Sequence, residues 1–255
     1  MPVASDPTRG PLAVADDGLR VEIGGASVWF TNRAGGTSRE PYDTLNLGTW
    51  TDDDPAAVRA NRRRVADAIG VAPGRIAQAR QVHGVDVLPV VDEAGLPGAD
   101  LAAVRDADGV ATAMRGVPCL VLCADCLPVA LVADGAVAMV HAGWRGLVGG
   151  VLESGVAALR EVGGTGGISA VVGPGAGPCC YEVGAEVHAA LAPLGPTVRR
   201  GEHADLPAAA ALRLRAAGVA TVHRAEACTI CDPTYFSHRR DGGTTGRQAG
   251  VAWLR

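Results

Sequence analysis

Val117-Pro-Cys-Leu-Val-Leu-Cys-Ala-Asp-Cys-Leu-Pro-Val-Ala-Leu-Val-Ala-Asp-Gly-Ala-Val-Ala-Met-Val-His-Ala142 is the most apolar part of this 255-residue chain. Asp134-Gly135 interrupts it between the runs Val129–Ala133 and Ala136–Val140, a two-residue hairpin signal. Both runs are apolar on both faces, which predicts a hairpin inside a covered sheet. With Asp134 and Gly135 as the turn, Ala133 opposes Ala136, Leu131 opposes Ala138 and Pro128 opposes His141. Side chains alternate faces, so Cys126 points the same way as Pro128 and therefore as His141. The two become diagonal cross-strand neighbours, roughly 7–8 Å apart between backbones. A bulge or a one-residue slip would put them on opposite faces.

Outward from the hairpin, the pattern is that of a mixed α/β chain. Asp54-Pro55 supplies an N-cap and a first-turn proline, and Gly70 a stop, for a helix over 55–69. Further helices are expected at Leu147–Val162, Gly184–Leu194 and Leu206–Ala217. Strands are expected at Ser27–Asn32, Ile168–Val172, Val219–His223 and Gln248–Leu254, with Arg75–Val82 and Asp86–Val91 as a strand pair. A Gly/Pro/Asp-rich loop covers 92–108. Residues 1–20 read as a flexible N-terminal arm and 21–255 as a single catalytic domain, since no linker-like stretch divides the chain. The fold class is α+β (mixed α/β): a single-domain layered sandwich with a mixed, largely buried sheet.

Composition excludes several functions. The net charge of −4 and the 4% aromatic content argue against a nucleic-acid partner. No lysine occurs anywhere, which removes Schiff-base chemistry and a Walker-type phosphate loop. No apolar run reaches bilayer length and the first twenty residues lack a signal core, so no membrane partner is expected. Seven cysteines, two of them adjacent (Cys179, Cys180), do not suggest a disulfide framework. The expected location is the reducing cytoplasm, and no obligate protein partner is indicated.

Three stretches carry metal-grade side chains beside glycine or proline: Gln81-Val-His83-Gly84, Ala124-Asp-Cys126-Leu-Pro128 and His141-Ala-Gly-Trp-Arg-Gly146. Two imidazoles and a thiolate can hold zinc and leave its fourth position open, as catalytic sites do. His83 lies on a separate segment and must arrive by tertiary packing, which spacing alone does not establish. The plainer reading makes both histidines half-buried and Cys126 a small core residue. A structural four-cysteine site from Cys123-x-x-Cys126 and Cys228-x-x-Cys231 is disfavoured. Residues three apart in a strand face opposite sides, and the pairs are far more than the usual ~15–20 residues apart.

Gly143-Trp-Arg145-Gly146 leads from His141 into a helix, whose amides with Arg145 suit an anion; a tight turn requiring glycine is the alternative. The proline-stiffened Gly173–Pro178 loop lacks a nucleotide fingerprint. The polar segment from Asp232 to Arg247, with Tyr235, Phe236, His238, Arg239, Arg240 and Asp241, reads as a surface turn or an active-site rim.

Motifs along almost the whole chain resemble the bacterial YfiH-type family, also called multicopper polyphenol oxidase or laccase-domain proteins and regarded as purine nucleoside phosphorylases. They are Thr31-Asn-Arg-Ala-Gly-Gly36, Tyr42-Asp-Thr-Leu-Asn-Leu-Gly48, Asp53–Arg62, Gln81-Val-His-Gly84, Ala124-Asp-Cys-Leu-Pro-Val129, His141-Ala-Gly-Trp-Arg-Gly146, Gly173–Pro178, Glu182-Val-Gly184, Phe236–Gly242 and Thr245-Gly-Arg247. The resemblance implies the fold of that family and of its cysteine-enzyme relatives. It implies a catalytic zinc site at His83, Cys126 and His141, with Asn46, Arg62, Gln81 and Arg145 around a pocket for a purine nucleoside and phosphate. It also implies phosphorolysis of inosine, adenosine, guanosine and methylthioadenosine, together with adenosine deamination. Three positions depart from the family pattern: Cys123 replaces threonine, His238 replaces tyrosine, and Cys179-Cys180-Tyr181 replaces a stretch poorer in cysteine.

Two other chemistries compete. A His–Cys–His set with Met139 nearby has the ligand types of a blue-copper site, so Cu2+ is an alternative to Zn2+. Six scattered histidines with no H-x-H pair do not provide the trinuclear cluster of a copper oxidase. A metal-free hydrolase would use Cys126 as nucleophile and His141 as base.

Overall fold

A computed structural model of the protein describes residues 12–255. Two six-stranded sheets form its framework. In the first, the spatial order is β1 (Ala13–Ala15), β2 (Gly18–Ile23), β3 (Ala26–Thr31), β14 (Gln248–Leu254), β7 (Cys119–Cys123) and β4 (Ala77–Gln78). The second runs β13 (Thr221–Arg224), β10 (Thr165–Val172), β8 (Leu127–Asp134), β9 (Ala136–Ala142), β6 (Gly109–Thr112) and β5 (Leu88–Val90). The pairs β4–β7, β5–β6 and β10–β13 are parallel and the rest antiparallel, so both sheets are mixed. A short ladder joins β11 (Arg199–Arg200) and β12 (His203–Ala204).

The hairpin holds the second sheet together. Its register pairs Ala133 with Ala136, Leu131 with Ala138 and Pro128 with His141, as the alternation predicts. Gly135 takes φ +78° in the turn, which only glycine adopts without penalty. The side chains of the hairpin's apolar runs divide between two cores. Leu131, Ala138 and Val140 face one way and Ala130, Val137 and Met139 the other.

The first core lies between the second sheet and four helices, α2 (Trp144–Gly149), α3 (Val151–Glu161), α4 (Ala185–Leu191) and α5 (Leu206–Ala216). The next fills the gap between the two sheets, with Val21, Val28 and Phe30 facing Val132, Met139 and Val171. A third packs Val65 and Ala66 of α1 (Pro55–Ile69) against Trp29, Leu120 and Val251 on the outer face of the first sheet. The layers are therefore helix, sheet, sheet, helices. Each sheet is covered on both faces, which explains its continuous apolar strands.

Helix α1 has the expected limits, with the Asp54 carboxylate accepting from Ala56 N and Gly70 left-handed at φ +85°. Four expectations change. Ala13–Ala15 and Gly18–Arg20 of the expected arm are paired strand residues; the rest of that arm, residues 1–11, lies outside the described residues. β4 and β5 belong to different sheets rather than pairing with each other. Between them and the hairpin an additional strand, β6, pairs with both β5 and β9. The expected helix at Leu147–Val162 is two helices, because Gly150 at φ +102° ends α2 and begins α3.

Candidate metal centre

The site forms where the ends of β8 and β9 meet two loops. Cys126 is the residue before β8, and the β8–β9 pairing brings it beside His141. His83 arrives on the loop between β4 and β5 with φ +59°, an unusual backbone state for a residue other than glycine. One buried carboxylate holds that loop in place. Asp108 accepts the backbone N–H groups of Val82 (3.2 Å), His83 (3.0 Å) and Gly84 (2.6 Å). It also bonds His141 Nδ1 at 2.8 Å, which leaves His141 Nε2 free to face Cys126.

Cys126 Sγ lies 3.9 Å from His83 Nε2, and the two imidazoles meet edge to face with centroids 5.0 Å apart. One donor atom from each of His83, Cys126 and His141 falls within 4.8 Å of the others. Gly143 makes this convergence sterically feasible. A Cβ there would lie 3.0 Å from Cys126 Sγ and 3.2 Å from His83 Cδ2. Its φ of −76° is ordinary, so close approach rather than a turn conformation requires glycine.

Electrostatics follow the geometry. Burial opposes the Cys126 thiolate, but His141 and then His83 outweigh it and lower the thiol to about 6. Burial likewise opposes a charged His141, yet Cys126 and Asp108 raise it to about 9. Asp108 remains below the usual carboxylate range: its burial is offset by His141 and the amides of Gly84 and Val82. Cys126 and His141 therefore each favour the charged form of the other.

The three donors line a cleft of about 380 Å³. Gln81 lines it, its amide pinned to Leu122 by bonds to both the N–H and the C=O of that residue. Asn46 does not line it. That side chain is fully buried and uses both ends, donating to Thr51 and Asp53 and accepting from Gly48 N and Arg247 N. Arg62 also lies behind the wall, donating to Leu47 O and Gln78 Oε1, and burial lowers it to about 10. Arg145 is exposed and stacks on Trp144 at 4.2 Å.

Other positive groups take the place expected for these two arginines. Arg239 and Arg247 line the cleft, with Tyr181, His238 and the half-exposed Trp50. Arg239 stacks on Tyr181 and donates to Glu182 O, while Arg247 is tied to Thr245 O and Gly246 O. Asp108 has only a weak signal in the sequence, an acidic residue just before an unexpected strand. The rim reading of the polar 232–247 segment agrees with the cleft lining for His238, Arg239 and Arg247.

Residues 27–255 match the family model described as multi-copper polyphenol oxidoreductase laccase. A purine nucleoside phosphorylase of Streptomyces coelicolor is 43% identical, the match covering 93% of this chain and 99% of that one. Another, from Corynebacterium glutamicum, is 40% identical over 88% of this chain and 93% of the relative. Among solved structures, YlmD from Geobacillus stearothermophilus superimposes with a TM-score of 0.87 at 34% identity, covering 96% of this chain and 99% of that one. YfiH from Bacillus licheniformis gives 0.87 at 29% identity, with the same coverage.

Proposed function

The chain belongs to the multi-copper polyphenol oxidoreductase laccase family, and from that premise we propose that it is a zinc-dependent purine nucleoside phosphorylase with adenosine deaminase activity. The observation that carries this reading is a convergent His83–Cys126–His141 set lining a cleft that Arg239 and Arg247 also line. Relatives sharing about two-fifths of its residues bear the phosphorylase name. The cleft volume falls in the range of small-molecule sites, about 300–1,000 Å³.

Two imidazoles and one thiolate suit zinc with an open fourth position, and His141 has the carboxylate partner that metal-bound imidazoles usually have. When bound, zinc would supply Lewis acidity at that position, the chemistry adenosine deamination requires. In phosphorolysis a phosphate oxygen bonds to ribose C1′ as the C1′–N9 bond breaks, giving ribose-1-phosphate and the free base. Arg239 and Arg247 neutralise and orient the phosphate with planar, multidentate donors. Trp50 and Tyr181 offer aromatic faces to the purine. Gln81 supports the wall beside His83. Asn46 and Arg62 act one step back, fixing the segments that carry Thr51 and Arg247 and those that carry Leu47 and Gln78.

Multicopper oxidation is disfavoured. Among the described residues, only one metal-capable group contains histidine, and it contains two. Met139 is fully buried between the sheets. Copper can still compete for the same three donors. No helix among the described residues is long and apolar enough to cross a membrane, in keeping with a cytoplasmic role on nucleosides and phosphate.

Incubation of purified protein with inosine and phosphate is the direct test. Wild type should yield hypoxanthine and ribose-1-phosphate. Cys126→Ala should lose more than the ~10–100-fold typical of changes around a metal's ligands. Equal product from both proteins, or none from wild type, would overturn the reading.

A further inference from the structure

A second sulphur cluster lies apart from the cleft, and the function above does not use it. Cys179, Cys180, Cys228 and Cys231 converge so that their four sulphurs lie within 4.8 Å of one another. Cys231 Sγ is 3.2 Å from Cys179 Sγ and 2.6 Å from Cys180 Sγ. We propose that these four cysteines bind a structural zinc ion that fastens two loops behind the cleft.

The geometry fits a single ion. With Zn–S bonds of about 2.3 Å, the sulphurs of a tetrahedral site stand roughly 3.8 Å apart. That edge falls inside the observed spread. Cys228-Thr-Ile-Cys231 supplies the C-x-x-C spacing of a zinc knuckle, and its backbone is folded accordingly. Asp232 N bonds Cys228 O at 2.9 Å. Gly177 N donates to Cys228 Sγ at 3.2 Å. A backbone donor on this sulphur suits a thiolate, as outer partners of metal ligands do. Gly177 packs closely here: a Cβ would lie 3.1 Å from Cys228 Cβ, a tight contact.

Cys179 and Cys180 contribute from the other loop. They sit in a tight turn in which both Cys180 N and Tyr181 N bond Gly177 O, and the two sulphurs converge on Cys231. Cys179 and Cys228 line an adjoining groove with Arg200, Asp205, Arg224 and Glu226, and Arg200 pairs with Asp205 there. All four donors are soft sulphurs, a set that selects zinc over hard cations.

The position explains what the ion would hold. Thr229, next to Cys228, bonds Gly175 O through its N–H and Asp125 Oδ1 through its hydroxyl. Asp125 Oδ2 in turn accepts Arg239 N. Tyr181, after Cys180, and Arg239 both line the cleft. The two loops are thus joined at the surface by sulphur and in the interior through Asp125.

The test needs no enzymatic readout, so it can fail independently of the phosphorylase reading. Cys126→Ala protein, which lacks the other thiolate, is purified under reducing conditions from zinc-supplemented medium and analysed by elemental mass spectrometry. It should carry one zinc ion per chain, and adding Cys180→Ser and Cys231→Ser should abolish it. If that variant fails to fold, Cys126→Ala protein is alkylated natively with and without chelator, then mapped by peptide mass spectrometry. Cys179, Cys180, Cys228 and Cys231 should be protected together and released together by the chelator. Absence of zinc, immediate labelling of Cys179 and Cys231 without chelator, or a Cys180–Cys231 disulfide in the native protein would overturn the proposal.

Discussion

Asp108 performs two tasks with one carboxylate. It holds the three successive amides of Val82, His83 and Gly84, and it fixes His141 through Nδ1. Asp108→Asn retains the shape but replaces one acceptor oxygen by a donor facing backbone N–H groups. Zinc affinity should fall by about 10–100-fold, as for other partners of ligand histidines, with circular dichroism unchanged; unaltered affinity in a competitive chelator titration would show that His83 and His141 orient themselves. Cys126 gives a pH prediction. Its thiol is lowered to about 6 in the metal-free protein by His141 and His83 despite burial. The reactive thiolate therefore predominates above that value. Iodoacetamide should modify metal-free protein with a rate rising through about pH 6 and already near its plateau at neutrality, and stoichiometric zinc should block it. A rate still climbing toward pH 9 would mean that the pair does not form.

Helix α1 is tied to the cleft by Asn61, a buried polar residue on its inner side. The Asn61 amide donates to Ser38 Oγ, Thr44 O and Asn46 O, and its oxygen accepts Thr37 N. Asn61→Ala would leave Asn46 O without its partner, while Thr44 O keeps Ser38 N, and would cut the ties to Ser38 and Thr37, at about 1–3 kcal/mol for each group that water cannot reach. A net loss of ~3 kcal/mol should lower Tm by ~6–12 °C, at about 2–4 °C per kcal/mol for a chain of this size. Scanning calorimetry checks this; a shift below a degree or two would place water in the gap. The same helix shows what local sequence conveys. Asp54, Pro55 and Gly70 are start and stop signals read within a few residues, and its limits follow from them. The split between α2 and α3 was less legible, because one glycine inside an apolar helical pattern can be tolerated or can end the helix. Here the left-handed Gly150 ends it.

At the scale of the molecule, legibility divides by distance along the chain. The Cys126–His141 pairing was readable because a two-residue turn and strict alternation fix the hairpin register. The approach of His83 was not, since it depends on the Asp108 carboxylate 25 residues away. Nor was the meeting of Cys228 and Cys231 with Cys179 and Cys180, which requires two loops from different strands of the second sheet. The family resemblance puts Asn46 and Arg62 around the pocket, whereas packing puts both behind its wall. The metal centre in turn depends on how the two sheets stack. Gly250 on β14 faces β8 so closely that an added Cβ would lie 2.6 Å from Pro128 Cβ and 3.0 Å from Met139 Sδ. Pro128 is two residues from Cys126 and pairs with His141. Gly250→Ala must therefore separate the sheets at the end of the hairpin that carries two of the three donors. Gly164 provides a control at the opposite end, where a Cβ would meet Leu159 O at 2.7 Å and Ala136 Cβ at 3.1 Å. Each substitution should cost about 1–3 kcal/mol from overpacking. Only Gly250→Ala should also weaken zinc binding at His83, Cys126 and His141, by roughly the tenfold expected when ligands are displaced from their supports. If both variants lose affinity in proportion to their stability, the centre is sensitive to folding free energy alone and not to the spacing of the sheets.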